Sequence, residues 1–370
     1  MNCTKLLQQL IQIPSFSGNE EKLAAFIGQW AKKHGLPVEK QEGNVVIRLK
    51  GKSRNKAMIF NAHMDTVSKG VAKLWKYPPY GKQSGVIKAG KIYGLGASDD
   101  KASIAAFLEV AMQLKAVPPN ADVFIVFVTN EETDGSGSKS FVNYFQKKYA
   151  GRYDEVSAII GEPTDLTAIE IGHRGNVFIK VTTYGDAGHG AQPEKIRKHS
   201  IYKQIQVIGT IKKMAKKWAQ KYKDSVLGKP SFCLTSVQSD PSSVNKVPAG
   251  CSSTWDIRTT PALHSEVVSL LQNELGECCK IEYVCTPASF GLTSPESKIV
   301  KLFQKLLPDI GINISPGSND ICVFQAGGIP AITFGPGNKH AIHKADEFVE
   351  VDKVNKSIPV YLKVIQAYSL

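Results

Sequence analysis

The stretch DVFIVFVTNEE, Asp122 to Glu132, constrains this chain more than any other. Val123 to Val128 are all apolar and leave no polar face for solvent. Such a run suits a central strand covered on both sides, as in sheets wrapped by helices. Shorter apolar runs recur in AMIFNAHMD and VSAIIGEP, set between helical patterns such as KLAAFIGQWAKKHG and KASIAAFLEVAMQLKA. This alternation predicts an α/β fold with a mixed, mostly parallel sheet and helices on both faces.

The order changes between about Arg174 and Thr286. There it runs strand (GNVFIKVTTY), long helix, two strands (SFCLTSVQ and SSTWDIRT), helix and strand (KIEYVC). This βαββαβ order predicts a ferredoxin-like α+β unit closing its own small sheet. The α/β alternation then resumes. The expected organisation is a larger domain of residues 1–173 and 287–370 with residues 174–286 inserted, which 370 residues at 42% hydrophobic content can support.

Composition limits the function classes. No apolar stretch of eighteen residues occurs and Met1 to Leu10 carries no secretory pattern, so a cytoplasmic protein with no membrane partner is expected. The seven cysteines form no C-x-x-C pair, which argues against a disulfide framework or a thiolate zinc site. A net charge of +13 raises nucleic acid, an acidic partner or an anionic substrate. Much of it lies in IKKMAKKWAQKYKD, where Ile211, Met214, Trp218 and Tyr222 recur at helical spacing and lysines fill the other faces. With no nucleic-acid-binding signature beside it, this reads as a solvated amphipathic helix.

Polar residues at the ends of the expected strands carry the chemistry. In open α/β sheets ligands gather beyond the carboxyl ends of strands. His63 and Asp65 follow AMIFNA, Glu131 and Glu132 follow VFIVFVTN, and Glu162 follows VSAIIG. Asp99 and Asp100 lie in GLGASDDK, and His340 and His343 in GPGNKHAIHKADE. Any one alone reads as a loop residue or helix cap. Together, two histidines and several carboxylates without a thiolate suit two divalent ions, Zn first and Co or Mn as alternatives. A shared carboxylate can hold such ions about 3.5–4 Å apart around a water.

In this order the motifs IPSFSGNE, HMD, GLGASDDK, NEETDGSGS, GEPT, GHGAQPE, DIR and IHKADEF resemble the M20 metallopeptidase family over nearly the whole chain. The family includes acetylornithine deacetylase, succinyl-diaminopimelate desuccinylase and aminoacylase-1. The resemblance implies a zinc-peptidase-like catalytic domain and a lid domain through which a homodimer forms. It implies that Asp99 bridges two ions, with His63 and Glu162 on one and Glu132 and His343 on the other. It makes Glu131 the general base, Asp65 the partner that fixes the His63 tautomer, and His189 the lid donor to the oxyanion, in many members supplied by the neighbouring subunit. Asp100 is expected to be structural, and His340 a solvated loop residue.

The implied reaction is hydrolysis of an N-acyl amino acid or diamino acid by a metal-bridged hydroxide, with dipeptidase or carboxypeptidase activity as the alternative. Arg174, Asn245 and Arg258 match positions that approach the substrate in relatives, although Arg258 can instead pair with Asp256. PGSND and IRKHS depart from the family pattern: relatives commonly carry Gly-Thr-Ser-Asp at the first, and a Gly and an Asn at the second. Glu131 and Glu132, as successive strand-end residues, are expected to point to opposite sides.

Overall fold

The computed structural model describes residues 3–52, 55–239 and 243–368. The chain divides into two compact units: Met1–Gly172, Leu292–Ser315 and Asn319–Leu370 form one, and His173–Gly291 with Pro316–Ser318 the other.

The first unit is built on a nine-stranded mixed sheet. Its centre is parallel, in the order Asp122–Val128, Lys56–His63, Glu155–Ile160 and Ala331–Thr333. Antiparallel neighbours flank this centre, Asn44–Leu49 beside Asp122–Val128 and Ala168–His173 beside Ala331–Thr333. The apolar run is buried throughout, as a strand with partners on both edges and helices over both faces requires. On one face Phe60, Phe107 and Tyr361 meet edge to face at 5.1–5.6 Å, joining the sheet to helices Lys101–Ala116 and Val351–Tyr368. On the other, Phe124 packs at 5.1 Å against Phe145 of helix Ser136–Lys148. Each such ring pair adds about 0.5–1.5 kcal/mol beyond its buried area. This rigid packing matters because the parallel strands deliver their carboxyl ends to one edge.

The second unit has a four-stranded antiparallel sheet in the order Ser231–Ser239, Gly250–Thr259, Gly175–Tyr184, Lys280–Tyr283. Strand Gly175–Tyr184 alternates buried and accessible residues, the signature of a sheet with one covered face. Val177, Ile179, Val181, Trp255 and Ile257 form that face. Helix Ser200–Lys221 covers it with Val207, Ile211, Met214 and Trp218, and helix Val267–Leu275 adds Leu271. The lysines between these apolar positions point outward, as the helical spacing predicts. A two-residue ribbon pairing Gly188–His189 with Lys246–Val247 lies outside the βαββαβ core, and strands so short leave no periodicity to read. Among the described residues, no helix is long and apolar enough to cross a membrane.

Candidate metal centre

His63 closes its strand, paired in register with Val128. The Gly161 N–H donates to the Asn61 carbonyl at 2.8 Å, which holds Glu162 beside the same edge. Gly161 is required there, because a Cβ would lie 2.5 Å from the Ser103 Cβ. Asp99 sits just before helix Lys101–Ala116, and His343 on the loop beyond strand Ala331–Thr333. With the turn that carries Glu131 and Glu132, five separate chain segments therefore converge.

The distances show how they meet. One Asp99 oxygen lies 2.9 Å from His63 Nε2, and its other oxygen 3.4 Å from His343 Nε2. Glu162 Oε1 is 3.8 Å from His63 Nε2, and Glu132 Oε1 is 3.2 Å from His343 Nε2. Asp99 thus faces two imidazoles, each with a further carboxylate beside it. Two triads have ligand atoms within 4.8 Å of one another: His63, Asp99 and Glu132, and His63, Glu131 and Glu162. By position alone Glu131 is as close to a cation site as the ligand candidates. His343 is exposed and its backbone is left-handed at φ 58°, a conformation uncommon outside glycine.

The acidic pair is arranged differently from the strand-end expectation. The strand stops at Val128, Asn130 turns the chain at φ 57°, and Glu131 and Glu132 lie in a turn. Alternation along a pleat therefore does not aim them. Asp65 does, by accepting the N–H groups of both Glu131 and Glu132 at 3.0 Å. Ser17 Oγ donates to the same carboxylate at 2.8 Å, and Glu20 accepts the Asn130 N–H at 3.1 Å. The IPSFSGNE segment is thus the brace of this turn. Sequence reasoning assigned no role to Ser17 or Glu20, although their motif was visible.

Asp65 also differs in how it meets His63. Its backbone carbonyl lies 3.0 Å from His63 Nδ1, and its carboxylate oxygen 3.5 Å away. The carbonyl makes the shorter contact because the carboxylate is occupied by the turn. Either partner places a proton on Nδ1 and leaves Nε2 facing the cluster. Glu347, another residue missed from sequence, is buried and accepts the N–H groups of Gly96, Ser98 and Asp99 at 2.8–3.1 Å, fixing the backbone that carries Asp99. Buried Asp320 accepts from Asn61 at 2.8 Å and Ser138 at 2.6 Å. Asp100 is buried and belongs to neither triad, and burial pushes it up to about 8. His340 is exposed on its loop.

Without cations, this crowding favours bound protons. Burial and then the Glu162 charge push Glu131 well above the usual carboxylate range, and burial and Asp99 do the same to Glu162. Burial opposes ionisation of Asp99 too, but hydrogen bonds to His343 and His63 outweigh it and hold the group low. His63 rises because its hydrogen bonds to Asp65 and Asp99 overcome the burial that disfavours its charge. Hydrogen bonds to Asp99 and Glu132 raise His343 to about 10. Divalent cations would supply the missing positive charge and displace those protons. The imidazole and carboxylate donors, with no thiolate among them, fit such ions.

The second unit holds the remaining sequence candidates. His189 Nδ1 accepts the Ala191 N–H at 3.1 Å, and its Nε2 faces the Asn245 side-chain nitrogen at 3.1 Å. Arg258 is engaged in a fork with Asp256, at 2.8 and 3.0 Å, and also donates to Asn176. Arg174 donates to the Lys229 carbonyl at 2.7 Å and to Ser231 at 3.3 Å.

A candidate metal site thus stands at the carboxyl edge of an α/β sheet, in a chain with a separate α+β unit. The chain belongs to peptidase family M20/M25/M40, whose model matches residues 59–367. It is 26% identical over 393 aligned residues to succinyl-diaminopimelate desuccinylase of Wolbachia pipientis wMel, covering 98% of this chain and 92% of the relative. Against acetylornithine deacetylase of Buchnera aphidicola it is 26% identical over 327 residues, covering 84% and 80%. The M20 family metallo-carboxypeptidase Sso-CP2 from Sulfolobus solfataricus shares the fold, with a TM-score of 0.78 at 19% identity over 100% of this chain and 99% of that one. The chain is a metal-dependent amidohydrolase of this family with a candidate dinuclear site.

Proposed function

We propose that the protein removes the acyl group from an N-acyl amino acid or diamino acid, using two divalent ions held by His63, Asp99, Glu132, Glu162 and His343. The reading rests above all on Asp99, whose two oxygens face different histidines. In this arrangement Asp99 is shared, Glu162 completes the His63 side and Glu132 the His343 side. When bound, the ions polarise the scissile carbonyl and acidify the attacking water. Glu131 accepts the proton from that water and returns it to the leaving nitrogen. Its raised proton affinity falls once cations replace the protons around it, leaving a carboxylate that can act as a base near neutrality.

His189 is the donor to the oxyanion, with Asn245 beside it. Asp65 supports the base by fixing the turn that carries it. Arg174 suits a substrate carboxylate better than Arg258, whose fork is filled by Asp256. The protein acts in the cytoplasm as a homodimer through the second unit. Deacylation is favoured over peptidase activity because two relatives aligning over most of their length are named as a desuccinylase and a deacetylase. Turnover of N-acetyl and N-succinyl amino acids by the Zn- or Co-loaded protein tests this, with dipeptides alongside. Activity confined to dipeptides would replace it with the peptidase alternative.

A further inference from the structure

Ten lysines and arginines and no acidic residue lie between Lys195 and Lys223. At the start of this segment the second unit has a cavity of about 520 Å³, lined by Arg197, Lys198, His199 and Lys203 together with Ile196 and Tyr202. Among the described residues, no carboxylate lines it. Two acids of the flanking segments are otherwise placed: Asp186 accepts the Lys198 backbone N–H at 2.9 Å, and Glu194 sits in the preceding turn. Lys203 donates to the Tyr184 carbonyl at 3.0 Å, which leaves its charge uncompensated. The His199 and Tyr202 rings stack at 4.0 Å beside the cations.

Like charges gathered in a concave wall repel one another and raise the local concentration of anions. A guanidinium fork with two ammonium groups offers more donors than one carboxylate can satisfy, whereas a phosphoryl dianion with three free oxygens can take all three. The aromatic and aliphatic wall suits a carbon skeleton. We propose that this cavity binds the phosphoryl group of a small phosphorylated metabolite. The inference is independent of the amide chemistry, since none of these side chains belongs to the metal cluster. The departure of IRKHS from the family pattern supplies two of the three cations, Arg197 and Lys198.

The test is calorimetric titration of inorganic phosphate into the metal-loaded protein at low salt, repeated with Arg197→Ala/Lys198→Ala and with His343→Ala. Because phosphate can also bind metal ions, the His343→Ala control separates the two sites. Saturable binding by wild type is expected, weakened at least about tenfold in the double variant, as loss of two charge-assisted contacts implies, and retained in His343→Ala. Unchanged binding in the double variant, or no saturation by about 10 mM phosphate, overturns the proposal. So does loss of binding in His343→Ala, or displacement by succinate at equal concentration. Both substituted lid residues are exposed, and an unchanged melting temperature checks that the fold persists.

Discussion

The carboxyl edge of the large sheet and the basic segment of the second unit are opposite in charge and opposite in burial. At the sheet edge Asp99, Glu131, Glu132 and Glu162 crowd two histidines within a framework of buried strands. Along helix Ser200–Lys221 the lysines stand in solvent over an apolar core. Repulsion between exposed charges is screened by water and salt, so the lysines perturb one another little. Repulsion between crowded, desolvated carboxylates is not screened, so they must take up protons or cations. The same kind of clustering is therefore chemically active in one place and tolerated in the other.

Glu131→Gln challenges the acidic half most severely. It is expected to lower kcat by about three orders of magnitude while both metals stay bound, the range typical of a lost general base. Glu132→Gln is expected to lose metal first, so metal analysis beside kinetics separates the pair. If Glu131→Gln also sheds a metal, the residue is a ligand, in line with its place in the second triad.

Trp218→Ala addresses the basic half from beneath. The ring is buried in the lid core, so about 3–5 kcal/mol of that unit's stability should disappear in urea or thermal unfolding. A loss below about 1 kcal/mol would mean the helix is held by something other than its apolar face.

The third prediction uses pH. Glu131, Glu162, His63 and His343 all have proton affinities raised by the fold, and burial lifts Asp100 and Glu347 to about 8. A raised group binds more protons folded than unfolded, so its contribution favours folding below its unfolded value and declines as pH rises through the folded one. For the carboxyls that decline begins above about pH 4 and for the histidines above about pH 6.5. Asp99 has the opposite sign, but its window lies below pH 4. The metal-free protein should therefore lose stability from these groups between pH 5 and 8, and the rise in Tm on adding Zn should grow over the same interval. A larger rise at pH 5 than at pH 8 would contradict the proton-for-metal exchange.

The smallest effect is expected at Lys213→Glu. This exposed residue stands four positions before Lys217, so the change converts a like-charge pair into a favourable one. A gain of about 0.2–0.5 kcal/mol, reduced by salt, would confirm that the lysine face is solvated. A loss of more than about 1 kcal/mol would place it in a packed environment.

Much of this was determined by the sequence itself. Val123 to Val128 suited a covered strand, and the spacing of Ile211, Met214 and Trp218 marked which side of the lid helix faces inward. These patterns were legible because burial acts on each residue through local periodicity. The ligand types were legible too: His63, Glu132 and Glu162 come just after apolar runs, and Asp99 and His343 stand in the GLGASDDK and IHKADEF motifs. Tertiary structure decided how they meet. The Glu131–Glu132 turn is braced by Asp65, Ser17 and Glu20, and the Asp99 backbone by Glu347, which lies 248 residues away in sequence. Hydrogen bonds of that range leave no period in the chain. They depend on strands packing first, and only then does an acidic pair that looks continuous with its strand become a turn aimed at a common centre.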